Sequence, residues 1–161
     1  EAILDALSYD DHVVIEQWIE GVELAVSVIG TGWDAHALPP VEIVPKHGLY
    51  DTAARMDASL VDYYAPVRNE SLSSNEADAQ AIRAEIERAV LEVYRAYGLR
   101  DLGRIDLIWD GAQARVMETN VSPGMTETSL FPAACKASGL SLSAVLDELV
   151  NNAKERGAVF C

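Results

Sequence analysis

The sequence predicts an α+β domain, a mainly antiparallel sheet with helices packed on one face. Three observations carry that expectation. Short apolar or alternating runs come first, a long amphipathic helix follows, and a hairpin and two further helices complete the order. Of 161 residues, 50% are hydrophobic and 24% charged, the balance of a globular chain able to bury a core. No internal repeat or low-complexity segment breaks the pattern.

The chain opens with Glu1 inside a helix-like run, Ala2-Ile3-Leu4-Asp5-Ala6-Leu7, as expected of part of a longer protein. Residues 12–19, His-Val-Val-Ile-Glu-Gln-Trp-Ile, read as an interior strand, apolar on both sides. Gly21 turns the chain, and residues 23–29 alternate like a half-buried strand. A turn at Gly30-Thr31-Gly32 leads to short strands near 35–38 and 41–44, separated by Pro39-Pro40. Neither period holds from 45 to 60, which reads as a long surface loop carrying Lys46, His47, Tyr50, Asp51, Arg55 and Asp57. A short strand, 60–64, ends at Pro66. Ser73-Ser74-Asn75-Glu76 has the capping-box spacing, Ser73 to Glu76. The helix behind it places Ile82, Ile86, Ala89, Val90, Val93 and Tyr97 on one stripe, and Gly98 stops it. Strands at about 103–109 and 114–120 follow, joined around Asp110-Gly111. A loop, 121–128, feeds a helix from about Ser129, and a last helix after Ser141 shows Leu142, Val145, Leu146, Leu149 and Val150 on one face.

Charge and cysteine usage narrow the functions. With 26 acidic against 12 basic side chains the formal charge is −14, which argues against nucleic-acid binding, where Lys and Arg must replace phosphate counterions. It leaves room for a phosphorylated ligand if a divalent metal neutralises the carboxylates around it. No apolar run approaches the roughly 20 residues that span a bilayer, and no signal-peptide pattern is present. Cys135 and Cys161 make no disulfide framework, so a reducing, cytoplasmic setting is expected. His12, His36 and His47 have no zinc-like spacing with them, and Ser129 has no triad partners arranged nearby.

The richest chemistry lies in Arg104-Ile105-Asp106 and Glu118-Thr119-Asn120. On strands, Arg104 and Asp106 share one face, as do Glu118 and Asn120. A two-residue loop at Asp110-Gly111 sends the pairs to opposite faces. An odd loop centred on Gly111 opposes Asp106 to Val116 and Arg104 to Glu118, so Asp106, Glu118 and Asn120 converge within ~5–8 Å. The odd loop is the expectation adopted. Two carboxylates and an amide oxygen beside an arginine suit Mg²⁺ and phosphate. The competing reading is a surface ion pair, Arg104 with Glu118, next to an unrelated Asp106. The glycine-containing loop Val121-Ser122-Pro123-Gly124-Met125-Thr126 runs into a helix whose first amides form an anion site. In a plainer reading Ser129 only caps that helix, Glu16 is a strand-end charge and Glu23 an exposed strand position.

Arg104-Ile105-Asp106, Met117-Glu118-Thr119-Asn120, Ser122-Pro123-Gly124-Met125-Thr126 and Ser129-Leu130-Phe131-Pro132 resemble the C-terminal part of the D-alanine–D-alanine ligases, ATP-grasp enzymes. Val14-Ile15-Glu16, Gly21-Val22-Glu23, Glu42-Ile43-Val44-Pro45 and Tyr50-Asp51 are similar to the same family in the same order. The resemblance implies that residues 1–19 end a small ATP-grasp subdomain and 20–161 form the C-terminal ATP-grasp domain. It implies an acyl phosphate made from D-alanine and ATP, attacked by the amine of a second D-alanine, for peptidoglycan precursors. Asp106, Glu118 and Asn120 would hold two Mg²⁺ ions, with Mn²⁺ a possible substitute. Arg104 and the Gly124 N–H would stabilise the oxyanion. Ser129 and the Leu130 N–H would bind the second carboxylate. Glu16, Gln17, Trp18, Ile19, Glu23 and Met117 would surround the adenosine, and family members often form homodimers.

Two departures qualify the resemblance. Where the family reads Tyr-Asp-Tyr-Glu-Ala-Lys-Tyr, this chain has Tyr50-Asp51-Thr52-Ala53-Ala54-Arg55-Met56. Arg55 would replace the lysine at the γ-phosphate, and Met56 replaces a tyrosine that helps choose the second substrate. A related carboxylate–amine ligase, or one using D-lactate or D-serine, is therefore an alternative, and a non-catalytic nucleotide-binding remnant is another. The family's N-terminal substrate domain, glycine-rich loop and two nucleotide-binding lysines have no counterpart in these residues. The 161 residues alone are expected to be inactive.

Overall fold

A computed structural model describes residues 1–157; Cys161 lies outside the described residues. Helix α1 (Ala2–Leu7) leads to an extended segment, then strands β1 (Val22–Ile29), β2 (His36–Ala37) and β3 (Val41–Pro45). Helix α2 (Thr52–Met56), strand β4 (Val61–Tyr64), helices α3 (Asn69–Leu72) and α4 (Glu76–Ala96), strands β5 (Leu102–Trp109) and β6 (Ala114–Asn120), and helices α5 (Leu130–Ala137) and α6 (Leu142–Arg156) follow. All strand pairs are antiparallel, in the order β4-β3-β1-β5-β6, with β2 on the β3 side of β1.

The sheet is covered on both faces, where one covered face was expected. On the first, Leu24, Val26 and Val28 of β1 and Ile105, Leu107 and Trp109 of β5 pack against Ile86, Val90 and Tyr94 of α4. On the second, Ala25, Ile29, Val41, Ile43 and Val61 pack against Leu130, Phe131, Ala134 and Cys135 of α5 and Val145 of α6. The alternation of β1 is thus read twice, once by each helical layer. All residues of β1 from Leu24 to Ile29 are buried, as an interior strand requires.

Several local expectations are corrected. Residues 12–19 form no strand: they are extended, pair with no strand among the described residues, and leave Val14, Ile15 and Trp18 exposed. Their apolar run satisfied the strand pattern, but the β1 edges are already taken by β3 and β5. The segment 45–60 contains α2 and a 3-10 turn, Ala58–Leu60, capped by the side chains of Asp51 and Asp57. Asn75, not Ser73, caps α4, accepting from the amides of Ala77 at 2.9 Å and Asp78 at 3.4 Å. Ser73 instead accepts from the Asn75 N–H. The buried stripe of α4 ends at Tyr94, whose hydroxyl donates to the Gly30 carbonyl at 2.9 Å, while Tyr97 is 71% exposed. Gly98, at φ +63°, does end the helix, its N–H bonded to the Arg95 carbonyl. On α6, Leu142, Val145 and Leu149 face the core and Val150 is exposed.

The β5–β6 hairpin also differs from expectation. Trp109 opposes Ala114, so residues 110–113 form a loop of even length, closed by the Asp110 carboxylate on the amides of Ala112 and Gln113. Such a loop alone would oppose Asp106 to Met117. A register shift intervenes between Asp106 and Leu107, and Met117 becomes the extra residue of a β-bulge. Asp106 then opposes Glu118, and Arg104 opposes Asn120. The bulge supplies the change of parity that an odd loop was expected to supply.

Candidate active site

The second sheet face opens at one end into a cleft of about 1240 Å³. β5 brings Arg104 and Asp106, β6 brings Met117 and Glu118, and β1 brings Glu23. Gly124, Thr126, Ser129 and Leu130 come from the loop before α5, and Tyr50 and Arg55 from the segment around α2. Residues 16–21 run along the rim. They reach it because Gly21 passes against β5, where an added Cβ would stand 2.1 Å from the Trp109 carbonyl oxygen and 2.7 Å from Ile108 Cγ2.

Arg104 and Asp106 form a two-pronged ion pair, Nε to Oδ1 at 2.7 Å and Nη2 to Oδ2 at 2.8 Å. Glu118 Oε1 lies 4.0 Å from Arg104 Nη2 and keeps a side chain 54% exposed to the cleft. The partner of Arg104 is therefore Asp106 first and Glu118 second, unlike the plain surface pair. Burial would lower the Arg104 pKa, but the hydrogen bond and charge of Asp106, then Glu118, raise it. Burial followed by the neighbouring Asp106 charge raises the Glu23 pKa, and Arg55 partly offsets this. Glu23 is thus half-buried in a carboxylate-rich environment, where an exposed position was the plainer reading. Asn120 Oδ1 accepts from the Ser122 N–H at 2.9 Å, which starts the loop toward Gly124.

Ser129 stands at the N-cap position of α5 without capping it. Its Oγ accepts from the Thr126 N–H at 3.1 Å and lies 2.8 Å from Thr126 Oγ1, so the hydroxyl is turned back to the loop. A Cβ at Gly124 would meet that Oγ at 2.8 Å; glycine leaves the room that the Ser129 side chain occupies. Leu130 is buried, and its amide is the first of α5.

Every expected site residue except Asn120 borders this one cleft. Asn120 is adjacent, opposite Arg104 in register. Glu16, Gln17 and Trp18 lie on the rim, exposed, with Ile19 partly covered. Tyr63 and Thr126 also line the cleft and were not anticipated. For Tyr63 a signal existed: two residues beyond Val61 on a strand, it shares that residue's inward face. Among the described residues no group of three His, Cys, Asp or Glu side chains forms a metal cluster. The hard donors are instead two carboxylates opposed in register with an amide beside them, oxygen chemistry that fits Mg²⁺.

The fold is that of the ATP-grasp ligases, shared with solved structures of D-alanine–D-alanine ligases. The sequence matches the family described as D-ala D-ala ligase C-terminus over residues 1–151, and the chain belongs to that family. It is 39% identical over 155 residues to a D-alanine–D-alanine ligase of Bordetella petrii, covering 95% of this chain and 44% of that protein. The crystal structure of D-alanyl-alanine synthetase A from Vibrio cholerae superimposes with a TM-score of 0.72 at 27% identity, covering 94% of this chain and 44% of that one. The VanG D-Ala:D-Ser ligase of Enterococcus faecalis gives 0.70 at 26% identity, covering 94% and 43%. The chain thus spans under half the length of the relatives it matches. Among the described residues no helix is long and apolar enough to cross a membrane.

Proposed function

We propose that this chain is the metal- and phosphate-binding portion of an ATP-dependent ligase that joins two D-alanines for peptidoglycan precursors in the bacterial cytoplasm. The observation that supports it best is the bulged hairpin, which sets Arg104, Asp106, Glu118 and Asn120 on one face beside the loop holding Gly124 and Ser129. Residues 1–19, none of them buried, belong in this reading to the end of a smaller subdomain, and 20–161 to the C-terminal domain.

In the reaction, a D-alanine carboxylate takes the γ-phosphoryl group of ATP, releasing ADP; the amine of a second D-alanine then attacks, and phosphate leaves. Asp106, Glu118 and Asn120 would hold Mg²⁺, as two ions, for which Mn²⁺ could substitute; bound there, the metal would supply positive charge against a triphosphate within this acidic protein. Arg104 and the Gly124 N–H donate to the oxyanion that develops when the amine attacks. Ser129 Oγ and the Leu130 N–H receive the second substrate's carboxylate. Glu23 takes the ribose hydroxyls, Glu16 the adenine amine, and Gln17, Trp18, Ile19 and Met117 enclose the base. Arg55 meets the γ-phosphate with a planar cation suited to oxyanions.

Met56 favours a second reading, a ligase with a different second substrate. It ends α2, 83% exposed, where the family-like motif has tyrosine. The test is ADP and phosphate release by the intact gene product with ATP and Mg²⁺, with and without D-alanine, and with D-serine or D-lactate as second substrate. Release that depends on D-alanine, with dipeptide formed, supports the ligase. Preference for D-serine or D-lactate selects the second reading, and nucleotide binding without turnover leaves a binding module. EDTA should abolish both release and nucleotide binding.

A further inference from the structure

Two tyrosine hydroxyls to which the nucleotide reading gives no task meet beside Arg55. Tyr63 stands on β4, opposite Ile43 of β3, so sheet backbone carries its ring. Its hydroxyl lies 2.8 Å from that of Tyr50. The rings meet edge to face, at 90° and with centroids 6.3 Å apart. Tyr50 leads into α2, and the guanidinium carbon of Arg55 sits 5.3 Å from the centre of the Tyr50 ring. Contact is continuous from sheet to cation: Tyr63, Tyr50, Arg55.

Beyond these contacts and the packing of the Tyr50 ring against the core of the second face, little holds this segment in place. Residues 46–49 are exposed, and Ala54 is the one buried residue of α2. The base of the excursion is closed by the Lys46 N–H donating to the Leu60 carbonyl at 2.9 Å. An exposed ion pair, Lys46 with Asp62 at 3.4 Å, adds little. Five residues are too few for a helix to hold its own shape without packing. A cation on an undocked segment spreads over many positions, and ordering it weakens whatever it binds.

We propose that the Tyr50–Tyr63 hydroxyl pair is a latch that docks the α2 segment on the sheet and thereby positions Arg55 for a nucleotide phosphate. The inference rests on the nucleotide reading above. Tyr63 acts through Tyr50 and Arg55 and touches no substrate, which makes it a positioning residue. Burial, then the bond to Tyr50, raises the Tyr63 pKa, so the latch stays neutral and closed across the working pH range.

Tyr63→Phe keeps the ring and removes one hydroxyl; Tyr50→Phe removes the other and serves where the first variant folds poorly. Hydrogen exchange on the ligand-free intact gene product tests the latch. The amides of Ala54 and Arg55, which bond to Asp51, should exchange about fivefold faster in either variant, the factor expected for one net hydrogen bond. Unchanged exchange overturns the latch. Titration calorimetry with ATP and Mg²⁺ tests the positioning. Tyr63→Phe should weaken binding about fivefold in the wild type but less than twofold in an Arg55→Ala background, because coupled residues are not additive. Equal losses in both backgrounds, or no loss where the wild type binds, overturn the inference and leave the nucleotide reading standing. A wild type that binds no nucleotide overturns that reading itself, and the positioning role with it.

Discussion

Arg104 sits two residues from Asp106 and holds both of its carboxylate oxygens, so its removal has two consequences. Under the proposed ligase reading, Arg104→Ala should lower kcat about 10²-fold or more, the cost of losing one oxyanion donor. It should also destabilise the fold, because Asp106 is left without its partner in a partly buried position. Steady-state kinetics and thermal melts of the same variant separate the two. Two other acids give stability terms of opposite sign. Burial would raise the Glu42 pKa, but hydrogen bonds from Arg68 and Ser71 outweigh it and hold the group below its usual 4.5. Its ionised form stabilises the fold above the usual value, and that contribution is lost as pH falls through the lowered one. Glu23 is held above 4.5, so ionising it opposes folding, fully so above its raised pKa and not at all below the usual value. Glu23→Gln should therefore raise Tm at neutral pH and change it little near about pH 4, whereas Glu42→Gln should lower Tm at neutral pH, the difference narrowing in acid. Melts followed by circular dichroism at both pH values check the signs.

Long α4 was the easiest element to read from sequence, since its period runs for many turns and a glycine ends it. Its ends were harder. Ser73 and Asn75 are both capping residues, and the spacing to Glu76 fitted the first. The choice falls to Asn75 because the chain turns helical directly after it, bringing the Ala77 and Asp78 amides to its side chain. Asn75→Ala should cost about 1 kcal/mol, a fall in Tm of roughly 2–4 °C for a chain of this size, and Ser73→Ala distinctly less. Equal losses would restore the capping box. Tyr94 and Tyr97 are three apart and both suit the stripe, and only the carbonyl of Gly30 across the sheet end selects Tyr94. The hairpin shows what spacing cannot encode. The residues of the site were legible as residues, yet their common face depends on Met117 being extra, and no residue type marks a bulge of that kind. The run 12–19 failed for a related reason: its pattern describes a strand, but a strand needs a partner, and partnership is a property of the sheet.

At the scale of the whole molecule, the antiparallel class was legible, whereas the gathering of Arg104, Asp106 and Glu118 on one face rests on the bulge at Met117. The second helical layer was not legible. α5 is only eight residues long and follows an irregular loop, so nothing local says which side of the sheet it will cover. The formal charge of −14 acts at this scale too, since it makes the cleft a poor host for phosphate without cations. One strand has a wider consequence. β1 gives Leu24, Val26 and Val28 to the α4 side and Ala25 and Ile29 to the α5 side. Neither layer can come away without stripping the strand that the other also needs. Unfolding should accordingly occur in a single transition, with the fluorescence of Trp109, buried under α4, and far-ultraviolet circular dichroism tracing the same curve. Two separated transitions would show that the layers melt independently. Such cooperativity also links places far apart: a loosening beneath α4 lowers the population of molecules whose opposite face is intact, so enzymes of this build can lose function through damage that never touches the cleft.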